Sequence, residues 1–294
     1  MSSGAEAIKK RAELCKSHLP TCFNGYSALP NAFSGNSLFG ATGGRSKSKT
    51  IVREGNAQIQ IKSASKQYQI FYIGEQLAQS ELSFYLKLIP LYGLGRMKLG
   101  ENIWIKLHEF LRENYGTVNA TAYRTLEEKI IRLYSAEVII IRPDMPPYHC
   151  RLISGRSQIF AGKGNKKMIE ITLDPVLHEA FKIDGFSFIN LTERSNLGNN
   201  QVALWLHSYY ARHAKPHPVT AKFIYKHSGS SAKDFVRWVR CTLAPAVDKF
   251  NAFNDWRLFL DYQDGVEEAK LYCYQKPTSS SQQKYLTKEN EKIE

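Results

Sequence analysis

Apolar and polar residues alternate in AQIQIK (57–62) and YQIFYIG (68–74), the period of two that predicts short, half-buried strands. The period then changes. Leu77, Leu82, Tyr85, Leu86 and Ile89 fall at helical spacing, in a run that Pro90 ends. ENIWIKL predicts a brief strand leading into a helix, LHEFLREN, which stops at Tyr115-Gly116. TAYRTLEEKIIRLYSAEVIII predicts a longer helix running into a strand. A short helix, a glycine turn and a longer helix make a helix-turn-helix pattern. Short strand candidates separated by Gly and Lys follow in PYHCRLIS, GRSQIFAG and KMIEITLDP, so the whole unit reads as a winged helix.

The order then repeats without visible sequence identity. FSFINL predicts a strand, QVALWLHSYYARH a helix, TAKFIYKHSG a short helix ending at Gly229, and SSAKDFVRWVRCTLA a longer helix. Pro245 should end or kink that last helix. DWRLFLDYQDGVEEAKLYCYQ predicts a hairpin turning at Asp264-Gly265. The expected fold is α+β: a winged-helix domain over 56–185 and a second over 186–276. A flexible basic arm (1–55), inferred from the Gly- and Ser-rich NAFSGNSLFGATGGRSKSKT, precedes them, and a polar disordered tail (277–294) follows.

Charge sharpens this picture. The chain of 294 residues carries a net charge of +13, and the arm and both expected domains are basic. From Arg194 to Lys233 there are six Lys or Arg residues, four His and no carboxylate, laid over two predicted helices. Such a run suits a polyanion, duplex DNA being the commonest; a ribosomal or membrane-surface protein would show similar totals. The five cysteines have no CxxC spacing, which argues against a zinc knuckle or disulfide framework. No signal-like or membrane-spanning run occurs, so a cytoplasmic, nucleoid- or plasmid-associated protein with no membrane partner is expected.

The first long helix gathers Tyr123, Leu126, Ile130, Leu133 and Tyr134 on one side and Thr121, Arg124, Thr125, Glu128 and Arg132 on the other. The second set suits the major groove: Arg can bond guanine, Thr can meet a thymine methyl, and Asn119 at the N-cap can reach phosphate or adenine. Arg151, Arg156, Lys163, Lys166 and Lys167 would make the first wing basic. In the second unit Phe235, Val239, Leu243 and Ala246 project inward, leaving Lys233, Asp234, Arg237 and partly Arg240 outward. Ser230 and Ser231 are expected to cap that helix and, with Lys226, to meet phosphate. Arg45, Lys47 and Lys49 are further phosphate candidates, against a plain solvated linker. The acids Asp261, Asp264, Glu267 and Glu268 should keep the second wing off DNA, or turn it toward a protein.

No catalytic constellation, cofactor motif or metal site is expected. GATGGRSKSKT departs from GxxxxGK[ST], and His213 and His217 flank Pro216, so one regular helix cannot pair them as ligands. Tyr209 and Tyr210 are the candidate nucleophiles if the protein nicks or integrates DNA, but they lie in a helix that needs aromatics for its core.

Several stretches resemble the TrfA-type plasmid replication initiators. They are the helix with Leu126, Arg132 and Leu133, the Tyr72–Leu77 stretch, Ser37–Phe39, and above all Trp205-Leu206-His207-Ser208-Tyr209 with Ala211, His213 and the following KPHPVTA. The resemblance spans about Ala28 to Tyr274 and is dense only around WLHSYY. It implies an initiator that binds repeated duplex sites (iterons) at a plasmid origin and exchanges between monomer and dimer. It further implies recruitment of the host initiator DnaA, the replicative helicase and the sliding clamp. Here Pro245, Cys241 and the acidic second wing depart from the family pattern, which bears on the clamp and helicase contacts. A tandem winged-helix transcriptional regulator is the nearest alternative; a nicking enzyme and a structural RNA-binding protein are the others.

Overall fold

The four large apolar side chains Leu29, Phe33, Leu38 and Phe39 decide the course of the N-terminal segment, because leaving them in water is costlier than ordering the chain around them. The computed structural model describes residues 19–42, 59–61, 67–93, 97–143, 145–157, 159–161, 167–213, 215–252 and 256–275. The arm cations Arg45, Lys47 and Lys49, the wing residues Lys163 and Lys166, and the tail 277–294 lie outside the described residues. Within them, residues 19–42 are not the arm the Gly and Ser content suggested. β1 (Tyr26–Pro30) pairs antiparallel with Phe186–Asn190, and β2 (Phe39–Gly40) pairs in parallel with Leu77–Ala78. All four apolar side chains are buried.

The fold is α+β. β3 (Ile59–Ile61) and β4 (Gln69–Ile73) stand where the alternation placed them, and β5 (Leu77–Ala78) feeds α1 (Gln79–Leu88). α1 buries Leu82, Phe84, Tyr85 and Leu86, and Glu81 accepts the Ala78 N–H at 2.9 Å to satisfy its first turn. After β6 (Asn102–Lys106), α2 (Leu107–Tyr115) ends at Gly116, whose φ of 67° supplies the left-handed turn into α3 (Ala120–Tyr134).

α3 does not pass at once into a wing hairpin as expected. β7 (Glu137–Arg142) and β8 (Met145–Arg151) instead extend a sheet of order β3-β4-β7-β8. The near-continuous apolar run Val138, Ile139 and Ile140 suits burial there. A separate sheet comes later, from β9 (Ile153–Arg156), β10 (Phe160–Ala161) and β11 (Lys167–Leu173), with β11 central between β6 and β9. Its alternation is plain in the register: Ile103 faces Ile171 and Ile105 faces Ile169 inward, whereas Trp104 faces Glu170 outward.

α4 (His178–Ile183), β12 (Phe186–Asn190) and α5 (Leu191–Asn196) lead into the second half. There the order is α6 (Gln201–Ala211), β13 (Val219–Thr220), α7 (Ala221–His227), α8 (Phe235–Trp238), a π-helical turn (Val239–Leu243), α9 (Ala244–Asn251), β14 (Trp256–Asp261) and β15 (Lys270–Gln275). The small sheet runs β13-β15-β14. A second core forms around Trp205, Tyr210, Ile224, Val239, Leu243, Phe250 and Leu271.

One expectation fails along α8 and α9, and another holds only in its weaker form, a local distortion of the helix beside Pro245. The helix begins at Phe235, not at Ser230 or Ser231, because Asp234 accepts the Arg237 N–H at 2.9 Å and takes the cap. Pro245 does not end it either. The π turn just upstream widens the helix by one residue and accommodates a residue without an N–H, so helix continues to Asn251. The second hairpin also turns more widely than a two-residue loop: Asp264-Gly265 sits beside a 3-10 turn over Val266–Glu268.

Candidate nucleic-acid interface

In the first unit the apolar stripe of α3 buries Leu126, Ile130 and Leu133, which presents the opposite face to solvent. Asn119 is the N-cap, its side-chain oxygen accepting the Ala122 N–H at 2.8 Å. Thr121, Arg124 and Thr125 are exposed in the first two turns. Glu128 reaches Arg124 only at 3.9 Å across the helix surface, a weak exposed pair. Between α2 and α3 lies a cleft of about 270 Å³ lined by Tyr115, Asn119, Thr121, Thr125 and Lys129.

Two lysines that sequence reasoning missed stand beside this cleft. Lys87 and Lys129 lie 4.1 and 5.2 Å from the Tyr115 ring, and Lys87 donates to the Asn114 carbonyl at 3.1 Å. Burial pushes the Lys87 ammonium down to about 8 and also lowers that of Lys129. No local motif marks Lys87, which is carried in on α1 from outside the α2–α3 pair.

Arg132 is half-buried against α1 rather than projecting freely from α3. Its guanidinium donates to Glu81 Oε1 at 2.6 and 3.2 Å, tying α3 to α1 beside a carboxylate that is only 3% exposed. Arg151 is exposed at the end of β8, two residues before β9, with its backbone N–H bonded to Asp174 at 2.9 Å. On β9 and β11, the Arg156 guanidinium lies 5.5 Å from the Tyr134 ring and Lys167 Nζ 4.7 Å from Tyr123. These contacts fold the two cations back along the flank of α3.

In the second unit Lys226, Ser231, Lys233, Arg237 and Arg240 are exposed and Ser230 is half-buried. The turn carrying them is fixed by aromatic packing, Tyr225 standing edge-on to Phe235 and Trp238 at 5.4 and 5.1 Å, and by the Tyr225 hydroxyl donating to the Ala232 carbonyl. At the start of α8, however, the Asp234 carboxylate occupies the position expected for a serine cap. A carboxylate there repels phosphate, and among bases it can accept from cytosine.

The acid-free run divides into different tasks. Arg194 is buried and bonds only within the protein, Arg212 donates to the Ser34 carbonyl at 3.3 Å, and Lys222 pairs with Glu268 of the second hairpin. Asp264 pairs with Lys270 at 3.7 Å, so the acidic wing tip is partly neutralised from within. Tyr209 is 3% exposed, stacked on Trp205, and burial pushes its phenol up to about 12; Tyr210 is wholly buried. Neither hydroxyl is placed as a nucleophile. Among the described residues there is no His, Cys, Asp and Glu cluster that could hold a metal, and no helix is long and apolar enough to cross a membrane.

No family model matches the sequence, and no curated protein does. Among solved structures, a selenomethionine derivative of domains 2 and 3 of RctB is similar with a TM-score of 0.48 at 8% identity, covering 76% of this chain and 91% of that one. A second crystal structure of RctB domains 2–3 gives 0.44 at 10% identity, covering 74% and 89%. Both similarities are remote in sequence and in shape.

Proposed function

We propose that the protein is a non-catalytic, two-headed duplex-DNA-binding protein that initiates plasmid replication from repeated origin sites. Each half is read as a winged helix, since both run helix, strand, helix, helix and end in a strand that is central in its sheet, the first half inserting β7 and β8 before that sheet. The observation that carries the reading is the first turns of α3: a neutral Asn119 cap followed by exposed Thr121, Arg124 and Thr125, beside the strand bearing Lys167, whose Nζ lies 4.7 Å from the Tyr123 ring. That combination offers base-edge donors and phosphate donors on one surface. The initiator role rests on the WLHSYY-centred resemblance, as do contacts with DnaA, the helicase and the clamp.

The test is a footprint of the full chain across the DNA flanking its own gene. Protection of direct repeats spaced by one or two helical turns supports two reading heads; uniform coating without repeats removes the reading. A transcriptional regulator shares every surface feature. It is separated by asking whether a plasmid carrying the gene and repeats still replicates when the reading frame is stopped.

A further inference from the structure

Buried polar groups concentrate where the two halves meet, and Arg194 stands at their centre. It is 3% exposed on α5, and among the described residues its hydrogen bonds run to neutral groups on two different helices. Nε donates to Ser83 Oγ at 2.9 Å; Nη2 donates to the Gln79 carbonyl at 3.1 Å and its side-chain oxygen at 2.8 Å, all on α1. Nη1 donates to the Leu204 carbonyl at 3.1 Å and Ser208 Oγ at 2.9 Å, on α6. Burial pulls the guanidinium down to about 9, so it stays charged at neutral pH.

A buried cation without these acceptors is strongly unfavourable, and a planar fork accepts them in only one geometry. The spacing and rotation of α1 against α6 are thereby fixed.

The N-terminal segment reinforces the same joint. Ser34 Oγ donates to the Ser208 carbonyl at 2.6 Å and Trp205 Nε1 to the Asn36 carbonyl at 2.9 Å, on the side of the second half. Gln76 and Gln79 donate to the Ser37 and Phe39 carbonyls at 2.9 and 2.6 Å on the first, and the Ala41 N–H reaches the Ser228 carbonyl at 2.6 Å. The fit leaves no slack: a Cβ on Gly35, at φ 69°, would stand 2.9 Å from the Tyr209 ring.

We propose that Arg194 and the strap from Ser34 to Ala41 are positioning elements that lock the two helix-turn-helix units into one relative placement. The chain then recognises two DNA sub-sites at a single spacing and phase, as a rigid caliper. Two heads on a flexible linker would tolerate a range of spacings. This inference rests on the DNA-binding reading for its consequence but not for its geometry. Inserting one base pair rotates one sub-site by about a tenth of a helical turn relative to the other, and a rigid caliper cannot follow it.

Two measurements on the full-length protein test this. In the first, spin labels on the exposed Cys241 and on a Thr121→Cys substitution, with Cys15 and Cys22 changed to serine, report the distance between the two reading helices without DNA. In the second, paired sub-sites selected from random duplexes by the unlabelled protein are re-spaced one base pair at a time. The wild type should give one narrow distance and lose about tenfold in affinity per misplaced base pair. Arg194→Lys keeps the charge but cannot serve the whole fork; Ser34→Ala removes the bond to the Ser208 carbonyl, and Ser83→Ala removes the bond from Arg194 together with one to the Gln79 carbonyl, both mildly enough to leave folding intact. Each should broaden the distance distribution and reduce the spacing penalty to about twofold, with single-sub-site affinity unchanged. Narrow distances and an undiminished penalty in all three variants would overturn the caliper. If the wild type selects no duplex, the DNA reading falls, and broadening of the label distances alone upholds or overturns the lock.

Discussion

The helix pairs α2–α3 and α7–α8 differ in how their second helices begin. In the first, the cap is the neutral side chain of Asn119 and the next exposed residues are Thr121, Arg124 and Thr125. In the second, the cap is the carboxylate of Asp234, and the acids Asp264 and Glu268 stand on the hairpin beyond it, paired with Lys270 and Lys222. A helix N-terminus carries a partial positive charge that invites phosphate. Asn119 leaves that field open, whereas Asp234 offsets it. On the DNA-binding proposal, one helix end is suited to anions and the other is screened against them, and the difference follows from a single capping residue more than from total charge.

The largest break in the comparison should come from Arg132, although its sequence position suggests a surface cation. Arg132→Ala leaves Glu81 buried without its partner and should cost about 3 kcal/mol in urea denaturation. Arg237→Ala, at an exposed position of the second unit, should stay within about 0.5 kcal/mol. Equal losses would mean that the Glu81 pair is not what joins α3 to α1. On DNA the ranking reverses. Arg124→Ala should lose about 1–3 kcal/mol of binding and relax specificity at one base position, while Arg237→Ala weakens all sequences alike and lowers the salt slope by about 1. Base-specific loss at Arg237 would erase the proposed asymmetry.

The first unit was legible because its signals are local. The spacing of Leu126, Ile130 and Leu133, the glycine at 116 and the Asn119 cap all act within a few residues, and the structure has each where the pattern put it. The misreadings involve distant partners. Residues 28–39 look like linker until Leu29 pairs with Ser187, more than 150 positions away, and Arg194 looks like a DNA contact until Gln79 and Ser83, 115 and 111 positions upstream, supply its acceptors. At the second helix two serines outcompeted an aspartate as the apparent cap. The Tyr225–Ala232 bond, which holds that serine turn outside the helix, has no sequence signature.

Acidity should separate the halves as well. His213, in the second half, is packed against Tyr209 at 4.8 Å and beside Arg212 and His217; burial first, then those two charges, push its imidazole down to about 4. The folded value lies below the ordinary one, so the neutral ring costs nothing above about pH 6.5, and stability drains as pH falls from there toward 4. The loss should be on the order of 1 kcal/mol once partial exposure is allowed for. Thermal melts of His213→Gln should be flatter across that window than those of the wild type; an unchanged pH slope would assign the acid sensitivity elsewhere.

The finest test addresses the cap itself. Asp234→Asn keeps an oxygen that can accept the Arg237 N–H, so helix stability should change by no more than a few tenths of a kcal/mol. What it removes is the negative charge at the mouth of the second reading helix. If that charge screens the helix against phosphate, the variant should bind non-specific duplex more tightly, by about 0.5 to 1 kcal/mol at low salt, with the gain fading as salt is raised. The matching change in the first unit, Asn119→Asp, should weaken binding by a similar amount, because it installs the same screen where none exists. Opposite signs from these two substitutions would establish that the caps set the difference between the heads. If Asp234→Asn instead loses affinity only for sites with a cytosine at one position, the carboxylate is reading that base, and the second head carries sequence information of its own.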